Sequence, residues 1–205
     1  MATTSGKTSP GKNKAQRYAK QRNRSRRNNT PMIIGISAVA GLLILIVILV
    51  VNNNSSKAIG SIEGVQTFSN LDRSHTTETV NYAQTPPVGG AHNAAWQNCG
   101  VYTTPIPNEN AVHSLEHGVI WITYQPDLAE SELQQLQTLA RQSSHRLLSP
   151  YPELTSPIVA SAWGYQLTLE RADDPRLADF IQKYEQNPFG PEPGAPCTGG
   201  VGQPS

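Results

Sequence analysis

The sequence VIWITYQPDLAESELQQLQTLARQS, residues 119–143, places a strand pattern directly before a helix pattern. VIWITY, Val119 to Tyr124, is a β-branched and aromatic run of strand length. Asp127 follows as a candidate N-cap, with Glu130 as its capping-box partner. Leucines then recur at helical spacing, which predicts an amphipathic helix from Asp127 to about Ser143. A strand followed by such a helix indicates a layered domain in which the helix covers a sheet.

The chain after this helix continues with strand and helix patterns. Arg146 to Leu148 is a candidate short strand, and Pro157 to Glu170 contains a strand pair or one bent strand. Asp174-Pro175 places a capping residue before a proline at the first helical position, and Asn187-Pro188 ends the helix that follows. The order strand, helix, strand, strand, helix predicts an α+β fold with helices packed on one face of a small sheet. A ferredoxin-like connectivity fits this order.

The region before the first strand is rich in turn-forming residues. Ser61 to Pro107 shows little regular pattern, so we expect a loop-rich amino-terminal half of the domain. The turn formers are Pro86-Pro87, Gly89-Gly90, Gly100, Pro105 and Pro107. About 150 residues are available in this part of the chain, which is enough for one domain with one core.

A long apolar run precedes this domain. Met32 to Val51 holds twenty residues without a charge and is rich in Ile, Leu and Val. At about 1.5 Å per residue the run spans roughly 30 Å, the thickness of a bilayer's hydrocarbon core. We therefore predict a transmembrane helix over residues 32–51. The run is longer than a signal-peptide core and lacks a clean cleavage pattern after it, which favours a retained signal anchor.

The charge distribution orients this predicted helix. The first thirty residues carry nine Lys or Arg and no acid, so residues 1–31 are predicted to be a disordered basic tail in the cytoplasm. Residues 52–60 are a polar stalk, and residues 61–205 form the extracytoplasmic domain. After residue 30, seven of the sixteen Lys or Arg stand against all fifteen acids, a net charge of −8. This charge argues against nucleic acid as a partner, and the lipid bilayer is the expected partner of the anchor.

Three strings in the outer domain resemble one known family. They are PPVGGAHNAAWQNCGVY (Pro86 to Tyr102), HSLEHGVIWITY (His113 to Tyr124) and PEPGAPCTGG (Pro191 to Gly200), with SPYP (Ser149 to Pro152) and Ala162-Trp163 between the second and third. In this order they resemble the bacterial domain-of-unknown-function family DUF 3105, from about Gly60 to Gly200. The resemblance implies a single amino-terminal anchor helix before such a domain. It implies no activity and no catalytic residues.

Candidate metal ligands are concentrated between His75 and His117. Four of the five histidines and one of the two cysteines fall within this stretch. Imidazole-rich ligation outside the membrane suits copper or zinc, and the Pro-Pro-x-Gly-Gly turn places His92 on a rigid loop. The predicted metal ligands are His92, His113 and His117, with Glu116, Cys99 or His75 completing the coordination sphere.

The string His113-Ser-Leu-Glu-His117 also fits the H-x-x-E-H pattern of inverted zinc peptidases. On a helix the two histidines would hold zinc, and Glu116 would act as the general base. Gly118 and a strand follow at once, which leaves room for barely one helical turn. This argues against a zinc hydrolase.

A structural or partner-binding role for the same histidines also fits the sequence. Histidines near Pro, Gly and Trp often hydrogen-bond to buried loop backbone, because an unpaired buried carbonyl costs about 1 to 3 kcal/mol. The domain would then be a cell-envelope module without metal, with an unidentified envelope protein as its partner. His75 would be only a polar position on an edge strand.

Cys99 and Cys197 are the two cysteines of the chain. In an extracytoplasmic domain such a pair favours a disulfide over thiolate ligands or redox work, and no C-x-x-C spacing supports a thioredoxin-like role. The bridge would pin the Pro/Gly-rich tail. The sequence also shows no nucleophile elbow, Walker loop or dinucleotide-binding fingerprint, so it indicates no particular enzymatic reaction. The leading hypothesis is a non-enzymatic, membrane-anchored extracytoplasmic domain that binds copper or zinc.

Overall fold

The computed structural model describes residues 1–2, 60–188 and 190–205. Apart from residues 1–2 and Gly60, the predicted basic tail (1–31), transmembrane helix (32–51) and stalk (52–60) therefore lie outside the described residues. Within the described part of the chain, no helix is both long enough and apolar enough to cross a membrane.

Six strands and three helices are formed in the described part of the domain, and the strands make one mixed sheet in the order β1-β6-β5-β3-β4-β2. In chain order the elements are β1 (Gln66–Thr67), β2 (Gly100–Val101), α1 (Asn108–Glu116), β3 (Ile120–Tyr124), α2 (Glu130–Ala140), β4 (Arg146–Pro150), β5 (Ile158–Ala162), β6 (Tyr165–Leu169) and α3 (Pro175–Tyr184). The predicted α+β class is confirmed. The sequence also placed β3, the short strand at β4 and the strand pair β5–β6 correctly.

Strand β3 lies inside the sheet and sorts its side chains onto two faces. It pairs in parallel with β4 and antiparallel with β5, and all five of its residues are buried. Because alternate side chains of a strand point to opposite faces, Ile120 and Ile122 join one core cluster and Trp121 joins another. Burial on both faces explains why this strand reads as a continuous apolar run.

Helices α2 and α3 cover the first of these faces. Leu136 of α2 and Phe180 of α3 are fully buried in the cluster that contains Ile120 and Ile122.

The start of α3 agrees with prediction, because Asp174 is its N-cap, its carboxylate accepts from Arg176 N at 2.9 Å, and Pro175 takes the first helical position. The predicted cap of α2 is wrong: the helix begins at Glu130 after Ala129, without a side-chain cap, because a turn closed by Leu128 N donating to Gln125 O precedes it.

Helix α1 covers the opposite face, so the prediction of helices on one face only is wrong. Ala111 and Leu115 of α1 pack in the cluster that contains Trp121 and Leu147. The expectation of barely one helical turn at H-x-x-E-H is also wrong. The helix extends amino-terminally from His113, beginning directly after Pro107, and has nine residues.

The end of α1 is enforced by a close backbone contact. Gly118 has φ +86, and a Cβ at this position would lie 2.8 Å from Gln186 Cα. The tail residues then satisfy the last carbonyls of the helix, with Glu192 N donating to Glu116 O and Gly194 N donating to His117 O. After this turn at Gly118 the chain continues directly into β3.

The connectivity differs from the ferredoxin-like arrangement suggested by the order of elements. In a split βαβ unit, another strand lies between the two strands that the helix joins. Here β3 and β4, joined by α2, are direct parallel neighbours from Ile120↔Arg146 to Tyr124↔Pro150. The unit is therefore an ordinary βαβ crossover, with β5 and β6 added antiparallel on the other side of β3.

Candidate metal centre

Four side chains from three separate segments meet beside α1. They are His75, His92, His113 and Glu116, and each offers a ligand atom within 4.8 Å of the other three. Because zinc bonds to nitrogen and oxygen are about 2.0 to 2.2 Å long, the four atoms are close enough for one ion to draw them together by small side-chain adjustments. The set combines three imidazoles with one carboxylate.

Helix α1 supplies two of the four side chains. His113 and Glu116 are three residues apart, so they share one face of the helix. The buried residues Ala111 and Leu115 fix the rotation of α1 by packing against the sheet, while Ser114 Oγ donates to Gln97 O at 2.8 Å. The face that carries His113 and Glu116 is thereby turned towards the amino-terminal loops.

The other two side chains are joined by a short backbone bridge. His75 and His92 form an isolated parallel bridge, in which Thr76 N donates to His92 O at 2.7 Å and His92 N donates to Ser74 O at 3.0 Å. The tight approach to His92 requires glycine: Gly89 has φ +146, and a Cβ there would lie 2.7 Å from Leu71 Cδ1.

Backbone carbonyls determine which ring nitrogen of each buried histidine, His92 and His113, carries the proton. His92 Nδ1 lies 2.8 Å from Gly90 O, and His113 Nδ1 lies 2.7 Å from Asn93 O. A carbonyl oxygen only accepts, so each Nδ1 is the donor, and in the neutral ring Nε2 keeps its lone pair. Histidine ligands of metals are held in this way, by a hydrogen bond from the nitrogen that does not bind the ion.

Glu116 stands between a guanidinium and an imidazole. Arg73 Nε donates to its Oε1 at 3.0 Å, and His92 Nε2 lies 2.9 Å from its Oε2. The carboxylate and the His92 ring are both buried, whereas the Arg73 side chain is largely exposed. Despite the short distance to Oε2, His92 Nε2 has no hydrogen-bond partner in usable geometry.

Burial keeps His113 in its neutral form at neutral pH. Burial lowers the pKa of the His113 imidazole from its ordinary value, and the neighbouring rings of His117, His92 and His75 lower it further, whereas the hydrogen bond to Asn93 O raises it. The neutral ring has the lone pair that metal binding requires.

The cluster is closed on the protein side and open at His75. The Trp163 ring stands edge-on to His92 at 5.8 Å between centroids, and the Trp96 ring lies 5.8 Å from that of His113. His92, His113 and Glu116 are buried, and His75 is exposed.

Four of the six residues that the sequence suggested as ligands lie together, whereas His117 and Cys99 do not belong to the group. His92 and His113 meet, and the possible ligands Glu116 and His75 join them. His117 is buried next to His113 but does not belong to this group; its Nδ1 donates to Pro196 O at 2.8 Å, and its Nε2 lies 3.7 Å from Glu192 Oε2. The alternative ligand Cys99 is bonded to Cys197, with Cα atoms 5.4 Å apart, which confirms the predicted pairing.

Sequence reasoning missed the residues that orient the cluster. Arg73 lies 43 residues from Glu116 in the chain, and no motif links the two. The carbonyls of Gly90 and Asn93 carry no side-chain signal at all. For Gly90, the glycine-rich turn before His92 was the single sequence feature that pointed to this segment.

The H-x-x-E-H pattern does not assemble as a zinc-peptidase site. Such a site needs His113 and His117 on one ion, with Glu116 free to act on a bound water. Here Glu116 rather than His117 shares the group with His113, and one of its oxygens is held by Arg73.

Comparison with known proteins gives one match. The family described as "Protein of unknown function (DUF3105)" matches residues 74–199, more than half of the 205 residues. The matched range includes all four residues of the cluster and both cysteines. No curated protein and no solved structure matches the chain significantly.

Proposed function

The chain belongs to the DUF3105 family of proteins of unknown function, and we propose that it is a non-enzymatic domain that binds one copper or zinc ion. The proposed ligands are His75, His92, His113 and Glu116. His117, which the sequence suggested as a ligand, is a neighbour of the site in this proposal. Its two ring nitrogens face the carboxy-terminal tail instead.

One observation supports this proposal above the others. His92 Nε2 is buried without a hydrogen-bond partner, although it lies 2.9 Å from Glu116 Oε2. In the neutral ring, with Nδ1 donating to Gly90 O, this contact brings two lone pairs together without a proton between them. Such an arrangement is unfavourable in a buried site unless a cation is shared by both atoms. A metal ion is a cation of the right size and ligand preference.

Arg73 leaves Glu116 with a single carboxylate oxygen that can bind the ion. Its guanidinium holds Glu116 Oε1, which leaves Oε2 turned towards His92 and the other rings. Ligating carboxylates are commonly oriented by such an outer hydrogen bond.

The types of ligand atom in the domain indicate which metal ions it prefers. Both cysteines are in the disulfide, and the two methionines, Met1 and Met32, lie outside the domain, so it offers neither thiolate nor thioether. Soft Cu(I) prefers those sulfur ligands, whereas imidazole with carboxylate suits Zn(II) and Cu(II). We therefore expect divalent zinc or copper rather than Cu(I).

Metal analysis of the purified full-length chain tests the proposal. After loading with Zn(II) or Cu(II) and desalting, we expect one ion per chain in the wild type and in His117→Ala, and close to none in His92→Ala and Glu116→Gln. His117→Ala is the matched control because it removes an adjacent buried imidazole outside the group. Equal metal content in the wild type and His92→Ala contradicts the proposal.

A second candidate is a structural or partner-binding cell-envelope domain without metal. It is favoured by the 2.9 Å approach of His92 Nε2 to Glu116 Oε2, which would be an ion pair if His92 were protonated. In that case Zn(II) leaves the thermal stability of the wild type unchanged. In the metal-binding case, Zn(II) stabilises the wild type and low pH weakens binding, because protons compete for the rings.

The location of the domain is also a proposal. Residues 32–51 form an uncharged apolar run behind nine basic residues, which supports a single-pass anchor with a cytoplasmic amino terminus and an extracytoplasmic domain. The bilayer would be one partner, and an envelope protein would be another.

Protease treatment of intact cells and of lysed cells tests this topology: the domain should be digested from outside while residues 1–31 are protected. Protection of the domain in intact cells contradicts it.

A further inference from the structure

We propose that the bound ion is exchangeable cargo, passed to and from external chelating ligands through the edge of the site formed by His75. This inference rests on the proposed metal-binding function. It goes further by distinguishing a transfer site from a permanent structural ion.

The four proposed ligands differ sharply in exposure. His92 is 0%, Glu116 3% and His113 5% exposed, whereas His75 is an exposed residue. A structural ion is normally enclosed by its ligands, as in closed four-coordinate zinc sites. Here one side of the coordination sphere faces solvent.

The other sides are closed by packed groups. The loop carbonyls of Gly90 and Asn93 hold the rings from behind, and the indoles of Trp163 and Trp96 stand beside them. A ligand arriving from solvent therefore reaches the ion beside His75.

The segment that carries His75 lies at the surface of the domain. Residues 72–75 are all exposed, and the hydrogen bonds of Ser74 N and Oγ to the Asp72 carboxylate are local. The segment is joined to the rest of the site by two backbone hydrogen bonds with His92, by the Arg73–Glu116 ion pair and by ring contacts of His75 with His92 and His113, at 5.0 and 5.1 Å between centroids. Withdrawal of the His75 ring alone leaves the other three side chains in place, because loop carbonyls hold His92 and His113 while Glu116 is fixed on α1 and by Arg73.

The exchange step is a ligand substitution without redox change. The bond between the ion and a ring nitrogen of His75 breaks, and that nitrogen keeps its electron pair. A lone pair of the incoming chelator forms the new bond, and the ion keeps its charge and oxidation state. The partner is thus a molecule with imidazole, carboxylate or amine donors that presents them at this edge.

Stopped-flow transfer of zinc to a chromogenic chelator tests this inference on the full-length chain. The wild type, His75→Ala and His75→Gln are loaded with one equivalent of Zn(II), and His145→Ala serves as the control histidine outside the cluster. The rate of global unfolding is measured separately by tryptophan fluorescence in urea and extrapolated to water. Circular dichroism verifies that each variant is folded.

The inference predicts that the wild type transfers zinc much faster than it unfolds. Both His75 variants should release the ion about tenfold faster than the wild type or more, since losing a supporting group costs metal sites at least this factor, mainly in the off-rate. The His145→Ala rate should equal that of the wild type. Release only at the unfolding rate, or unchanged release from both His75 variants, overturns the inference while leaving metal binding intact. A wild type that retains no zinc before mixing overturns the proposed function and this inference with it.

Discussion

The imidazole of His92 has a fixed tautomer in its neutral form because its two nitrogens face different groups. Nδ1 donates to Gly90 O, while Nε2 faces the Glu116 carboxylate without a directed hydrogen bond. The sequence indicated His92 as a ligand because a glycine-rich turn precedes it. It could not indicate Arg73, because the ion pair with Glu116 depends on how two distant segments pack.

Replacement of Arg73 tests its orienting role. In Arg73→Gln the Glu116 carboxylate loses its charged partner, so we expect zinc affinity to fall about 10- to 100-fold, as for other outer-shell partners of metal ligands. Competition titration against a zinc chelator measures this. Arg171→Gln is the control, since that exposed arginine pairs with Asp173. Unchanged affinity in Arg73→Gln contradicts the role.

Gly89 tests the loop that presents His92. Alanine here adds a Cβ 2.7 Å from Leu71 Cδ1 at a φ of +146, so Gly89→Ala should destabilise the domain by about 1 to 3 kcal/mol. Urea unfolding of this variant is compared with that of Gly60→Ala, where an added Cβ meets nothing within 4 Å. Equal midpoints for the two variants would show that the loop adapts without cost.

Helix α1 is the element on which the site depends, and sequence reasoning missed it, as it missed the short strands β1 and β2. Its nine residues include Asn108 and Asn110 in the first turn, which are weak helix formers, and its N-cap Pro107 provides no side-chain hydrogen bond. Packing of Ala111 and Leu115 against the sheet stabilises it instead. Helix α3 was predicted well because its start is encoded locally, by Asp174 and Pro175.

The cap of α3 gives a stability prediction with a pH dependence. The hydrogen bond from the Arg176 side chain holds the pKa of the Asp174 carboxyl below its ordinary value. The stabilisation is therefore fully present above the ordinary carboxyl pKa and is lost as the pH falls through the lowered one. At pH 7, Asp174→Ala should cost about 1 kcal/mol of unfolding free energy, with a smaller difference from the wild type in strong acid.

Urea unfolding across pH measures this effect. Asp179→Ala is the control because Asp179 is an exposed acid on the same helix. A cost for Asp174→Ala that stays constant down to pH 2 would exclude the charged cap as its cause.

In the domain as a whole, local sequence pattern predicted the fold class and most strands. The connectivity of the sheet and the packing of α1 on its second face depend on contacts between distant segments. The continuous apolar run of β3 could not reveal which neighbour lies on each side. The four residues of the cluster likewise come from three segments, and a backbone bridge without a sequence signature joins two of these segments. The disulfide was predictable because only two cysteines exist.

The disulfide provides a test of how the tail is held. The bridge spans 98 residues, and the chain-entropy model assigns about 4.7 kcal/mol to a loop of about 100 residues. Replacing both cysteines by serine should lower the unfolding free energy by up to this amount. It should also weaken the tail contacts with His117, measured as faster amide exchange of Gly194, whose N–H donates to His117 O. Unchanged stability of the double variant would show that the tail is held by its other contacts.

X-ray absorption at the zinc edge tests whether three imidazoles and one carboxylate share an ion. The full-length chain loaded with one equivalent of Zn(II) should show three imidazole rings and one oxygen at about 2.0 to 2.2 Å. His75→Ala should show two rings, and His117→Ala should match the wild type. Coordination by oxygen atoms alone, or a spectrum unchanged by His92→Ala, would contradict zinc binding by this cluster.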